Sequence, residues 1–103
     1  MKSLKIGKHE IKHPIVQGGM GLGISWDKLA GNVSLNGCLG VISSVGTGYY
    51  ENLKYSKKEI NSKPLGSENF YSTEGLNAII TNARKICGDA PLGVNIICAC
   101  NDY

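Results

Sequence analysis

With 103 residues, 42% of them hydrophobic and 18% charged, the chain has material for one globular domain and not for two. Its net charge of +3 is small and its lysines are spread along the chain, which argues against nucleic acid or an anionic membrane as a partner. No run of about 18 apolar residues exists to span a bilayer, and Met1-Lys2-Ser3-Leu4-Lys5-Ile6 lacks the apolar core of a secretory signal, so a cytoplasmic protein is expected.

Leu4-Lys5-Ile6-Gly7-Lys8-His9-Glu10-Ile11-Lys12 alternates apolar and polar residues around Gly7-Lys8. That is the pattern of a small hairpin with one wet face, expected to lie as a lid on one end of the fold. Ile15-Val16-Gln17 then reads as a first inner strand, and Gly18, Gly19, Gly21 and Gly23 crowd the turn after it. Glycines there let the backbone pass close to a flat or anionic ligand, because no Cβ stands in the way. The same residues also suit a turn that needs glycine only for its own geometry. The common nucleotide codes do not fit. A dinucleotide fingerprint wants glycine where Ile24 or Trp26 stands, and Gly7-Lys8 is followed by His9 instead of Ser or Thr.

Ser25 is placed to cap the next helix, with Ile24 and Leu29 at the two positions of a hydrophobic staple. Trp26, Leu29, Ala30 and Val33 recur at i, i+3, i+4 and i+7, an apolar stripe that packs on a sheet, with Trp26 as a core anchor. Asn36-Gly37 ends this helix. Leu39-Gly40-Val41-Ile42-Ser43-Ser44 is apolar without alternation, as expected of a parallel strand covered on both faces. Val45-Gly46-Thr47-Gly48 brings a second glycine turn to the same strand end as the first, where ligands of parallel sheets bind.

From Tyr49 to Tyr71 the periodicity fails, through a lysine-rich middle (Lys54, Lys57, Lys58, Lys63) to Phe70-Tyr71. A connection this long is expected to be a lid, an interface or a mobile segment. Aromatics mixed with lysines can also stack on single-stranded nucleic acid, but a βα connection in a chain of low charge is a poor place for that. Ser72 or Thr73 caps a second helix whose Leu76, Ile79, Ile80, Ala83, Ile86 and Cys87 share one face, and Gly88 and Pro91 stop it. Leu92-Gly93-Val94-Asn95-Ile96-Ile97-Cys98 is a third buried strand with one polar residue. Asn95 must bond inside the core or face a ligand, since an unpaired buried amide costs about 1–3 kcal/mol.

Cys38, Cys87, Cys98 and Cys100 have no Cys-x-x-Cys knuckle or metal-spaced histidine pair beside them, so reduced thiols and no metal site are expected. Strand, helix, strand, helix, strand with right-handed crossovers is half of a doubly wound sheet or the first third of a (β/α)8 barrel. The leading hairpin resembles a barrel's bottom plug, and the chain stops at a strand end without a covering helix. Both features favour the barrel. A complete one takes about 250 residues, so residues 1–103 are expected to be an N-terminal portion of about three βα units, with 49–71 as a long βα-loop insertion.

Three ordered motifs carry a family resemblance: His13 to Met20 (HPIVQGGM), Leu29 to Ile42 (LAGNVSLNGCLGVI) and Ala90 to Ile96 (APLGVNI). Together they resemble the opening of the nitronate monooxygenases, formerly 2-nitropropane dioxygenases, a family that includes FMN-dependent enoyl-ACP reductases. The resemblance implies an FMN-binding α/β barrel of the TIM type. Such an enzyme oxidises alkyl nitronates with oxygen, or reduces a substrate with NAD(P)H through the flavin. It implies cofactor contacts from Gly19, Met20, Gly21 and Asn95, and from Gln17 at the strand end. It also implies that the catalytic histidine and the loops holding the FMN phosphate come from later strands, so no catalytic residue is expected within this chain, which alone would be inactive; separately, three strands and two helices would expose apolar faces and are expected to self-associate. Two readings of other classes stand beside it: a self-standing βαβαβ nucleotide-binding module, and a non-catalytic remnant or interaction piece.

Overall fold

The computed structural model describes residues 2–21, 23–52 and 72–97. Most of the Tyr49–Tyr71 insertion lies outside them, as do Leu22 and the stretch from Cys98 to Tyr103 with two of the four cysteines.

The hairpin forms as expected, from β1 (Leu4–Ile6) and β2 (His9–Ile11), paired antiparallel with Leu4 opposite Ile11. Gly7 makes the turn possible by adopting φ 59°, which other residues reach only at a cost. Ile11 is buried, whereas Leu4 and Ile6 stay exposed. Ile6, His9 and Ile11 border a cavity of about 180 Å³ with Leu39, Pro91, Leu92 and Gly93. The hairpin thus sits at the N-terminal ends of the parallel strands.

β3 (Gly40–Ser43) and β4 (Leu92–Asn95) pair in parallel, with Gly40 opposite Leu92 and Ser43 opposite Asn95. The first inner strand is shorter than expected. It is one parallel bridge between Val16 and Leu39, flanked by hydrogen bonds from Leu39 N to Ile15 O and from Gln17 N to Leu39 O, both 2.9 Å. The strands therefore lie in sequence order, with β3 in the middle.

Helix α1 (Asp27–Leu35) and helix α3 (Thr73–Cys87) pack on each other, and α1 packs on β3 and β4. Both helices thus cover the same face of the sheet, the outcome when two crossovers of one hand step across it in one direction. Between them Trp26, Ala30, Ile42, Tyr49, Leu76, Ile79 and Ala83 form the core. Full burial of a side chain such as Ile42 or Ile79 contributes about 1.5–3 kcal/mol. Small residues set the spacing. A Cβ on Gly40 would overlap the Ala30 carbonyl, and one on Gly31 would stand 3.1 Å from Ile86 Cβ.

Three local expectations are corrected. Ser25 does not cap α1: the cap position is Trp26, without a side-chain bond, because the Ser25 hydroxyl is spent on the Val41 carbonyl. With the cap at Trp26, Ile24 stands two residues ahead of it, outside the staple position, and is exposed. The residues after Gly46 are not a plain turn, since Thr47–Asn52 is a short helix, α2, that carries Tyr49 into the core. The third strand ends at Asn95 and is not buried there; Val94, Asn95, Ile96 and Ile97 are all exposed. The cap of α3 is as expected, with the Ser72 hydroxyl accepting from Gly75 N at 3.0 Å.

Candidate functional site

Strand register sorts the side chains by face. Gly40 and Ile42 point to the helices, so Val41 and Ser43 point the other way, and so do their partners Gly93 and Asn95. The glycine turn folds over this face, opposite α1 and α3. A Cβ on Gly19 would meet Asn95 Cβ at 2.8 Å and Val41 Cγ1 at 3.4 Å, and one on Gly21 would meet Val45 Cβ at 3.3 Å. Both glycine turns therefore converge at the C-terminal ends of the strands, and Gly19 rests directly on Asn95. Of the four turn glycines only Gly23 has positive φ, 85°. Gly19 and Gly21 are glycine because the chain passes so close, and what they approach within the protein is Asn95 and the second turn.

Polar groups at this place are left open. The N–H groups of Gly19, Met20 and Gly21 donate to no other backbone group among the described residues. The Asn95 carbonyl accepts from Ser44 N at 3.1 Å, while its side-chain amide is exposed and has no partner among the described residues. Met20 is exposed beside them. The turn itself is held from below, by Ser25 N donating to Met20 O at 2.9 Å and Ser43 N to Ser25 O at 3.0 Å. Trp26 adds an indole N–H to Ser43 O at 3.1 Å, as a core residue turned toward the helices and not toward the open face.

Gln17 stands apart from the other expected site residues. Its Oε1 accepts from Val41 N at 3.1 Å, and its Nε2 donates to Val41 O at 3.2 Å, to Ser25 Oγ at 2.6 Å and to the Gly18 carbonyl. Both ends of its amide are therefore engaged within the protein. Ser25, fully buried, was expected only as a helix cap; no residue pattern within its own segment shows that it would bond across to β3.

His9 and His13 lie at the other end of the strands. His9 borders the hairpin cavity, and His13 N donates to Gly37 O at 2.9 Å ahead of β3. Cys38 and Cys87 are free thiols, and among the described residues no group of three or more His, Cys, Asp or Glu side chains could hold a metal. Among the same residues no helix is long and apolar enough to cross a membrane.

Among the described residues the arrangement is a shelf of three open N–H groups and one open carboxamide beside the apolar edge of a parallel sheet. It can offer hydrogen bonds to the edge of a flat heterocycle while its backbone lies against the ring. The family model described as nitronate monooxygenase matches residues 2–103 of the chain, and no curated protein matches it.

Proposed function

The chain belongs to the nitronate monooxygenase family, an oxidoreductase family, and from that premise we propose that it supplies the first part of an FMN site in a (β/α)8 barrel that oxidises alkyl nitronates with oxygen. The observation that carries the reading is the juxtaposition of Gly19, Met20 and Gly21 with Asn95, whose N–H groups and side-chain amide have no partner among the described residues. A parallel α/β sheet binds its ligands at this strand end. The donors suit the carbonyl and ring-nitrogen edge of an isoalloxazine, and the exposed Met20 side chain gives it an apolar neighbour.

When bound, FMN would take electrons from the nitronate and pass them to oxygen. The residues of this chain would bind and orient it: Gly19 to Gly21 would bring backbone N–H groups to it, and Asn95 would hold it by hydrogen bonding. His9 and His13 stand at the far end of the strands, so neither is placed to move a proton at this shelf. Barrel closure also accounts for the open sheet edges. The first strand and β4 each have one partner among the described residues, with Val16 and Val94 exposed on them.

Asn95→Ala tests the reading. It removes the amide and leaves the Cβ that Gly19 packs on, so the fold should persist. In the longer flavoprotein the FMN dissociation constant should rise about tenfold, the value of one or two hydrogen bonds, read from flavin absorbance on reconstitution. Unchanged flavin content and unchanged turnover of an alkyl nitronate would remove Asn95 from the site. Rapid reduction of the bound flavin by NAD(P)H without air, with no oxygen uptake on adding nitronate, would point to the enoyl-reductase branch instead.

A further inference from the structure

Gln17 occupies a particular place in the hydrogen-bond ladder between the first strand and β3. The ladder runs from Leu39 N to Ile15 O and from Gln17 N to Leu39 O. In a regular parallel pair the next two rungs would be Val41 N to the main-chain carbonyl of residue 17, and the N–H of residue 19 to Val41 O. Both are taken by one side chain. Gln17 Oε1 accepts from Val41 N at 3.1 Å, and Gln17 Nε2 donates to Val41 O at 3.2 Å. Ser25 closes the clamp, accepting from Gln17 Nε2 at 2.6 Å and donating to the same Val41 carbonyl. A carboxamide has the donor and acceptor of a peptide group, so it can serve as two rungs without the backbone that normally carries them.

We propose that Gln17 is a positioning residue that stands in for a peptide group in this ladder, so that the N–H of Gly19 is released from β3 and kept for the ligand of the glycine turn. The inference rests on the FMN reading for the identity of that ligand, but its structural half does not. Glutamine at this position ends the strand at Val16 although Val41 still has both backbone groups satisfied. The main chain from Gly18 is then free to lift onto the Asn95 side, where a regular strand would have continued alongside β3.

Gln17→Met keeps the length and removes both polar ends. Val41 would then be left to the backbone, and the Gly19 N–H is expected to bond to Val41 O as the strand lengthens. Residue-resolved amide exchange on the chain itself reads this directly. In the unaltered chain the Gly19 amide should exchange freely, and in Gln17→Met it should become at least tenfold slower while Val41 stays protected. In the FMN-bound longer protein the same substitution should weaken flavin binding roughly tenfold, as one donor is withdrawn. Gln17→Glu serves if the methionine variant fails to fold: it keeps the acceptor for Val41 N and loses the donor to Val41 O, so Gly19 should again gain protection.

Free exchange at Gly19 together with lost protection at Val41 would overturn the proposal, because Gln17 would then simply hold two strands together. So would protection at Gly19 with flavin affinity unchanged. If the unaltered longer protein binds no FMN, the flavin reading fails on its own account, and the exchange rates at Gly19 and Val41 still decide whether Gln17 withholds that N–H from the ladder.

Discussion

Gly40 shows how one absent methyl group sets the distance between layers. Its position in β3 lies so close under α1 that a Cβ would overlap the Ala30 carbonyl and crowd Ala30 Cα. Backbone atoms cannot swing aside as a side chain can. Gly40→Ala should therefore cost about 3 kcal/mol, the upper end for overpacking, seen as a lowered urea midpoint with unchanged slope. Gly18→Ala is the control: Gly18 has no neighbour within 4 Å of its notional Cβ and no positive φ, so its stability should stay within about 0.5 kcal/mol of the unaltered chain. Equal losses in the two variants would show that something other than the α1–β3 contact governs both.

Among the elements, α1 is tied to the sheet through one hydroxyl. Ser34 is buried; its Oγ donates to Pro91 O at 2.7 Å and accepts from Gly40 N at 3.0 Å. One residue on the last turn of α1 thereby fixes where β3 and β4 begin. Ser34→Ala leaves the Pro91 carbonyl, just ahead of β4, and the Gly40 N–H without this partner, which costs about 1–3 kcal/mol for the pair. The loss should appear as faster amide exchange at Gly40 as well as a lower melting temperature. By contrast Ser72→Ala removes the cap bond to Gly75 N and a longer hydrogen bond to Glu74 Oε2, both within the first turn of α3. It should lower stability by about 1 kcal/mol, with the exchange of β3 amides unmoved.

For the whole molecule the decisive feature is apolar surface left open on both sides of the sheet. Ile15, Val16, Val94, Ile96 and Ile97 are each 40% exposed or more. On the outer side a groove of about 400 Å³ runs between the first strand and α1, lined by Ile15, Leu29, Val33 and Cys38. Exposed apolar surface of this kind favours association. The 103-residue chain is therefore expected to sediment as a concentration-dependent mixture and to bind a hydrophobic dye. A monodisperse monomer with a sharp, cooperative melt would favour the self-standing module over the barrel portion.

Much of this was legible in the order of residues. The hairpin around Gly7-Lys8, the stripe from Trp26 to Val33, the cap at Ser72, the stop at Gly88 and the convergence of two glycine turns all follow from local preferences or from chain order, which act before any long-range contact forms. The family, too, is carried by three short motifs. Only the tertiary structure decided what Ser25 and Gln17 do. By itself Ser25 is a good helix cap, and its hydroxyl went to Val41 because a strand 16 residues onward stands beside it. By itself Gln17 is a polar strand end pointing at a possible ligand, and its amide was taken by the unpaired edge of β3. A hydrogen bond is short and directional, so its partner is chosen by what packing brings within about 3 Å, and no pattern inside a segment encodes which strand arrives. The exposure of Asn95 has the same cause: its strand has the apolar composition of a buried one, but burial depends on which surfaces cover it.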